Sequence, residues 1–317
     1  MKQKKGILLG NLGTPDKPEK KEVRAFLKLF LADKRVIDTP RYIWLPILHG
    51  IILNTRPKKS AKLYKEIWRT EGSPLLIYTK EQTRQLQDRF PDVVVRFGMS
   101  YSHPSIVTSL TEMDDLGVTD LTIIPLYPQY STTTTASIYD AVATYYLKKE
   151  NIPSLHFIRE FTEHPLYIDL LVDQIKTELA KHPVDHLLFS YHGIPVSYAE
   201  KGDPYPEQCA ATTKAVMAKL KQKIAYSETY QSKFGPAEWL IPATDATLKR
   251  LPIDEGVKKI MVITPGFVSD CLETIEEIES ENRGYFMENG GEEFYYIHPF
   301  NEDPRFVDLL AQLVSDK

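Results

Sequence analysis

The chain has 317 residues, 42% hydrophobic and 26% charged, with 39 Lys plus Arg against 43 Asp plus Glu and a formal net charge of −4. That balance excludes a disordered, collagen-like or coiled-coil protein, and a chain so near neutrality has no global field for gripping nucleic acid. Its length suggests about two domains, each able to bury a core without metal or disulfide staples.

The basic start, Met1-Lys2-Gln3-Lys4-Lys5-Gly6, leads only into Ile7-Leu8-Leu9, so no signal peptide is expected. A strand is predicted over 6–10 and a helix over 20–31. The greasy segment 42–53 is interrupted by Pro46 and His49 and is too short to span a bilayer. It reads either as a helix packed on its own domain or as a lip that touches a membrane, a partner or a substrate. Helices over 59–68 and 80–89, a strand over 93–99, a helix over 104–117, a strand over 121–125, a helix over 136–149 and a strand over 155–158 follow. Beyond them come a helix over 165–181, a strand over 186–190, a helix over 206–223, strands over 237–241 and 259–264, a helix over 271–288 and a strand over 293–297. Strands spaced by helices imply parallel βαβ units, and continuous apolar strands suit a sheet covered on both faces.

The two halves resemble each other. Ile7-Leu8-Leu9-Gly10-Asn11-Leu12-Gly13-Thr14-Pro15 lies over Leu187-Leu188-Phe189-Ser190-Tyr191-His192-Gly193-Ile194-Pro195 without a gap, placing Leu12 on His192 and Gly13 on Gly193. Thr122-Ile123-Ile124-Pro125-Leu126-Tyr127 resembles Val262-Ile263-Thr264-Pro265-Gly266-Phe267. The expected fold is therefore α/β: two similar Rossmann-like domains, each a doubly wound parallel sheet, over 1–163 and 164–317, facing across a cleft. Ligands in such sheets sit beyond the carboxyl ends of the strands.

His192 stands at one such end, where a neutral imidazole can take a proton or bind a divalent metal. After the strand over 259–264, Pro265-Gly266 turns the chain into a helix that Ser269 or Asp270 could cap. There Glu273, Glu277 and Glu281 recur every fourth residue as one acidic stripe, while Glu276 and Glu279 read as solvated. A histidine and a carboxylate column at matching strand ends suggest an open divalent-metal site, suited to iron(II), manganese or zinc alike. Tyr127-Pro128-Gln129-Tyr130-Ser131-Thr132-Thr133-Thr134-Thr135 reads as ligand contact or as turn and cap chemistry, and Arg56-Pro57-Lys58-Lys59 as a small basic patch. No Gly-x-Gly-x-x-Gly, P-loop or Gly-x-Ser-x-Gly is present, which argues against nucleotide redox, NTP hydrolysis and serine-hydrolase chemistry. Two cysteines, Cys209 and Cys271, are too few for a disulfide framework or a four-cysteine zinc or iron–sulfur site; reduced thiols in the cytoplasm are expected.

Taken together, Leu9-Gly10-Asn11-Leu12-Gly13-Thr14-Pro15-Asp16, Glu71-Gly72-Ser73-Pro74-Leu75-Leu76, Leu126-Tyr127-Pro128-Gln129-Tyr130-Ser131, Ser190-Tyr191-His192-Gly193-Ile194-Pro195, Gly202-Asp203-Pro204-Tyr205, Tyr230-Gln231-Ser232-Lys233-Phe234-Gly235 and the segment 265–278 resemble the ferrochelatases, of the bacterial protoporphyrin type within the class II chelatases. The resemblance runs over nearly the whole chain. It implies a porphyrin held between two Rossmann-like domains and insertion of Fe²⁺ into protoporphyrin IX with release of two protons. It matches His192 to the family's active-site histidine, Glu273 to its partnering glutamate, and Glu277 and Glu281 to an acidic column leading away. His192 and Glu273, with Glu277 and Glu281, are thus the expected metal contacts. Leu12, Arg56, Tyr64, Ser73, Tyr130 and Trp239 are the expected porphyrin contacts. Fe²⁺ enters as substrate, with no resident cofactor and no iron–sulfur cluster, since the C-terminal cluster cysteines of animal forms are absent. Ser100 stands where the animal enzymes carry Arg, and Leu12 where the coproporphyrin-using group carries Tyr. Alternatives are a coproporphyrin III ferrochelatase, a chelatase for another metal or tetrapyrrole, and a non-catalytic tetrapyrrole or metal carrier. The expected partners are porphyrin and ferrous iron, with no nucleic acid, and a transient membrane-surface or haem-pathway protein contact.

Overall fold

The computed structural model describes residues 3–316; Met1 and Lys2 of the basic start, and Lys317, lie outside the described residues. The first half runs β1 (Lys5–Asn11), α1 (Lys20–Ala32), α2 (Arg41–Ile47), a first π-helix (Leu48–Ile52), α3 (Leu53–Ile67), α4 (Pro74–Arg89), β2 (Val94–Met99), α5 (Ile106–Asp115), β3 (Asp120–Pro125), α6 (Thr135–Tyr146) and β4 (Ser154–Phe157). The second runs α7 (Pro165–Lys181), β5 (His186–His192), α8 (Val196–Glu200), α9 (Tyr205–Leu220), β6 (Ala225–Gln231), α10 (Thr244–Asp254) and β7 (Lys259–Ile263). It closes with a second π-helix (Glu273–Asn282), α11 (Arg283–Glu288), β8 (Glu293–Ile297) and α12 (Pro304–Ser315).

Two four-stranded sheets result, ordered β2-β1-β3-β4 and β6-β5-β7-β8, with every pairing parallel. The internal repeat is thus real in topology. β1 and β5, the strands of the gapless overlay, both lie second in their sheets, and β3 and β7 both lie third. Central strands β3 and β7 are almost wholly buried, while edge strands β4 and β8 show half-exposed residues. This is the pattern expected where helices cover both faces.

The chain divides into two compact units, Met1–Glu160 with Glu302–Lys317, and Phe161–Asn301. The division differs from the expected 1–163 and 164–317 at its far end. Asp303 caps α12 by accepting the Arg305 N–H at 2.9 Å, and Phe306, Val307, Leu309, Leu310 and Leu313 are buried along it. The Arg89 guanidinium of α4 donates to Asp308 at 2.7 Å and to the Pro304 carbonyl at 2.9 Å. An apolar stripe and these bonds seat α12 against α4, in the first unit.

The segment 42–53 is helical and does two things. Trp44, Leu48 and Leu53 are buried, with the Trp44 indole N–H donating to the Leu31 carbonyl at 2.6 Å. Tyr42, Ile43, Ile47 and Ile51 face outward as a bare apolar edge. No helix among the described residues is long and apolar enough to cross a membrane. The predicted strand over 237–241 is absent. The strand is β6, over Ala225–Gln231, a polar edge strand with no continuous apolar run; 237–241 is loop, joined to Pro195 through a single bridge at Trp239. Helices α8, α10 and α12 were not foreseen.

Candidate active site

In the second sheet the connections from β5 lead first to β6 on one side and then across to β7 on the other. The carboxyl ends of β5 and β7 therefore flank a topological switch point, where a crevice opens in this class of sheet. His192 is the last residue of β5. Behind it, the Gly193 N–H donates to the Gln231 carbonyl at 2.7 Å. Only glycine fits there, because a Cβ would lie 2.8 Å from that carbonyl oxygen and 3.2 Å from the Trp239 ring. The overlaid residue in the first unit, Gly13, has φ +107°, and its Cβ would meet the Ser102 hydroxyl at 2.5 Å.

This turn also orients the imidazole. His192 Nδ1 lies 2.7 Å from the Gly193 carbonyl oxygen. A carbonyl can only accept, so Nδ1 carries the proton and the lone pair sits on Nε2. His192 is half-buried.

The chain leaving β7 delivers the acidic residues. Glu273 opens the second π-helix, whose wider turn, with i→i+5 bonding, keeps residues four apart on one side. At the helix start, the Thr274 hydroxyl accepts from the Cys271 N–H at 2.9 Å and donates to buried Asp270 at 2.8 Å. The second oxygen of Asp270 accepts from Asn301 at 2.7 Å and faces His298 Nδ1 at 3.0 Å, while the Asn301 side-chain oxygen takes the Asp270 N–H at 2.8 Å. Glu279 is engaged rather than simply solvated, with a carboxylate oxygen 3.7 Å from His298 Nε2.

Glu277 is held by the loop after β6. Ser232, at φ 67°, donates its hydroxyl to the Glu277 carboxylate, and the Gln231 amide donates to the same oxygen at 3.3 Å. Burial pushes the Glu277 carboxyl above its ordinary range, and Glu273 adds to the push; the Ser232 hydrogen bond and His192 pull the other way. Glu281 is exposed and accepts the Tyr285 hydroxyl at 2.8 Å, which raises that phenol to about 12. The acidic row thus runs from half-buried Glu273 and Glu277 to exposed Glu281. Cys271, buried beside Glu273, is pushed up by burial first and by Glu273 second, so it stays a neutral thiol.

Among the described residues no group of three or more His, Cys, Asp or Glu side chains could hold an ion. Glu277 is bonded by Ser232 and Gln231, and Glu281 lies toward the exposed end with Tyr285. Four contributors escaped the sequence reading: Gln231, Ser232, Asp270 as a clamp, and His298. Gln231 and Ser232 were within a quoted motif, but their role needs the position of β6.

A family model described as Ferrochelatase matches residues 4–317. The chain belongs to the ferrochelatase family. It is 54% identical over 310 residues to a coproporphyrin III ferrochelatase of Enterococcus faecalis, covering 98% of each chain. It is 48% identical over 320 residues to a ferrochelatase of Pectobacterium atrosepticum, covering 99% of each. A ferrochelatase of Yersinia pestis is 47% identical over 318 residues, covering 99% of this chain and 98% of that one. Among solved structures, SirB from Bacillus subtilis with Fe³⁺ has a TM-score of 0.58 at 11% identity, covering 99% of this chain and 97% of that one. CbiX, the terminal enzyme of sirohaem biosynthesis in denitrifying bacteria, has a TM-score of 0.54 at 11% identity, covering 98% and 99%. These two likenesses show a shared chelatase fold.

Membership in the ferrochelatase family makes the protein a metal chelatase, with porphyrin and iron as the implied substrates. Of the expected porphyrin contacts, Leu12, Arg56, Tyr64, Ser73 and Tyr130 belong to the first unit and Trp239 to the second. Leu12 is half-buried just beyond β1, its N–H on Asn11 and its carbonyl taking the Tyr101 N–H at 3.0 Å. In the repeat it holds the place that His192 holds in the second unit. Arg56 is half-buried on α3. Tyr64 is buried between Phe26 and Trp68, edge-on to both. Ser73 is buried and caps α4 by accepting the Leu76 N–H at 3.3 Å. Tyr64 and Ser73 therefore already serve packing and capping. Tyr130 is half-buried, its ring 4.5 Å from the Arg159 guanidinium. Trp239 packs on Gly193, with its indole N–H buried and unpaired.

Proposed function

We propose that this ferrochelatase-family chain inserts Fe²⁺ into protoporphyrin IX, breaking two pyrrole N–H bonds, forming iron–nitrogen bonds to all four ring nitrogens and releasing two protons. One observation carries the reading: the Gly193 carbonyl fixes His192 in the tautomer whose Nε2 lone pair is free to take a pyrrole proton. The two N–H protons must leave as the metal enters. His192 accepts them in turn through Nε2, and the charge this creates on the ring strengthens the Nδ1–H bond to Gly193. Glu273 supplies negative charge to the imidazolium or to the arriving ion. Glu277, biased by burial toward its protonated form, stores a proton, and Glu281 passes it to solvent. Fe²⁺ is a reactant throughout, and no resident cofactor enters the scheme. We place the reaction in the cytoplasm, where buried thiols Cys209 and Cys271 stay reduced.

The choice of protoporphyrin rests on Leu12, an apolar residue where the coproporphyrin-using group carries Tyr. A second reading is coproporphyrin III, favoured by the 54% identity to the Enterococcus faecalis enzyme of that name. The two substrates differ in charge, since coproporphyrin carries four propionates and protoporphyrin two. Anaerobic assays with Fe²⁺ and each porphyrin, read as kcat/KM, decide between them. A higher value for protoporphyrin supports the proposal, and a higher value for coproporphyrin III replaces it with the second reading. Porphyrin binding without insertion identifies a carrier instead. Insertion of Co²⁺ but not Fe²⁺ identifies a different chelatase.

A further inference from the structure

We propose that Gln231 is a positioning residue for metal insertion, a single buried side chain that holds the His192 turn and the Glu273–Glu277 side of the π-helix in register. The inference rests on the reading that His192 and Glu273 act on the porphyrin and the ion.

Gln231 ends β6 and is paired directly with His192 in the parallel ladder. It is 3% exposed. Its main-chain carbonyl takes the Gly193 N–H at 2.7 Å, which secures the turn that in turn fixes the imidazole tautomer. Its side chain reaches the other way. The amide nitrogen donates to the Glu273 main-chain carbonyl at 2.9 Å and to the Glu277 carboxylate at 3.3 Å. Both of those are acceptors, so the nitrogen must face them and the amide oxygen must point back toward β5. There it accepts the buried Ser190 hydroxyl at 2.8 Å. Ser190 lies two residues before His192 on the same strand.

The two arms of the site come from different parts of the sheet, a strand end and a helix 81 positions further along the sequence. β5 and β7 are paired only as far as Phe189 and Ile263, so the ladder stops short of His192 and of Glu273. Gln231 ties the two arms together beyond that point. A buried amide with donor and acceptor both occupied defines a separation closely, because every partner it loses stays desolvated. Reacting groups displaced by ~1 Å lose as much as ~10²-fold in rate.

The test uses two replacements of matching volume. Gln231→Met removes every side-chain hydrogen bond. Gln231→Glu keeps the acceptor for Ser190 and removes both donations. The readouts are kcat, the porphyrin KM and the melting temperature, with His192→Ala and Glu273→Gln measured alongside. For either Gln231 variant we expect kcat to fall by ~10- to 100-fold with the porphyrin KM within about twofold of the parent, in the range of a misplaced reacting group. A kcat within about twofold in either variant overturns the proposal, as does a loss carried wholly by KM. If Gln231→Met fails to fold, Gln231→Glu decides alone by the same criteria. Near-normal turnover in both His192→Ala and Glu273→Gln would sink the functional reading itself. Loss of turnover in those two with normal Gln231 variants sinks only the present inference.

Discussion

His192 bonds to the carbonyl of the very next residue, Gly193, at 2.7 Å. A ring held by its own neighbour keeps one tautomer whatever the substrate does, and it presents one basic nitrogen. Replacing His192 with Ala should lower turnover by at least ~10²-fold, the usual worth of a placed acid–base group. Glu273→Gln should do the same. Porphyrin fluorescence followed anaerobically in the presence of Fe²⁺ measures both, and near-parental rates in both variants would contradict these roles.

Gly193→Ala tests the close approach behind that bond. The new methyl would be 2.8 Å from the Gln231 carbonyl, and backbone cannot yield as a side-chain tip can. Overpacking of this kind costs roughly 1–3 kcal/mol. A lowered melting temperature together with reduced kcat is expected; an unchanged kcat would mean that the turn has slack.

Glu277 predicts a pH dependence of stability. Burial, the dominant cause, raises its carboxyl in the folded state above the ordinary 4.5. Between those two values the folded protein binds more protons than the unfolded chain, so stability falls as pH rises through the window. Below the ordinary value both states are protonated and the effect is absent. Glu277→Gln lacks this slope while keeping an oxygen for Ser232. Its melting temperature should gain on the parent as pH rises from about 4.5 toward neutrality. Parallel curves across that range would refute the buried-carboxyl account.

Asp270→Ala should be among the more destabilising changes in the second unit. It strips an acceptor from Thr274, Asn301 and His298 together, and the site is 2% exposed. Leaving buried donors unsatisfied costs about 1–3 kcal/mol. Thermal unfolding measures this, and turnover should fall too because the clamp anchors the helix start that carries Glu273. Asp270→Asn, which keeps one oxygen, should lose less.

The sequence shows the two-fold repeat plainly because its carriers are central strands. β1, β3, β5 and β7 each hold a buried apolar run, and β1 and β5 lead into turns that carry Gly and Pro, so alignment of that pair places the other. Edge strand β6 was missed for the converse reason: Ala225-Tyr226-Ser227-Glu228-Thr229-Tyr230-Gln231 has few apolar residues, and its burial rises along the strand from exposed Ala225 to buried Gln231. With β6 misplaced, nothing marks Gln231 as the neighbour of His192. The π-helical form was equally hidden, since no residue type in Glu273–Asn282 marks a shift from i→i+4 to i→i+5 bonding. His192 and Glu273 stood out because each follows a recognisable buried strand. Asp270 gave a capping signal, but its real partners, Asn301 and His298, lie beyond the next strand.

The return of α12 to the first unit has a consequence for synthesis. Residues 1–160 leave the ribosome well before residue 302, and at ~5–20 residues per second the interval is about 7–28 s. Throughout it, the Gln85 and Arg89 edge of α4 waits without Glu302, Pro304 and Asp308. The second unit has its whole sequence available first, and the nascent amino-terminal half lacks the apolar face of α12 until translation reaches it.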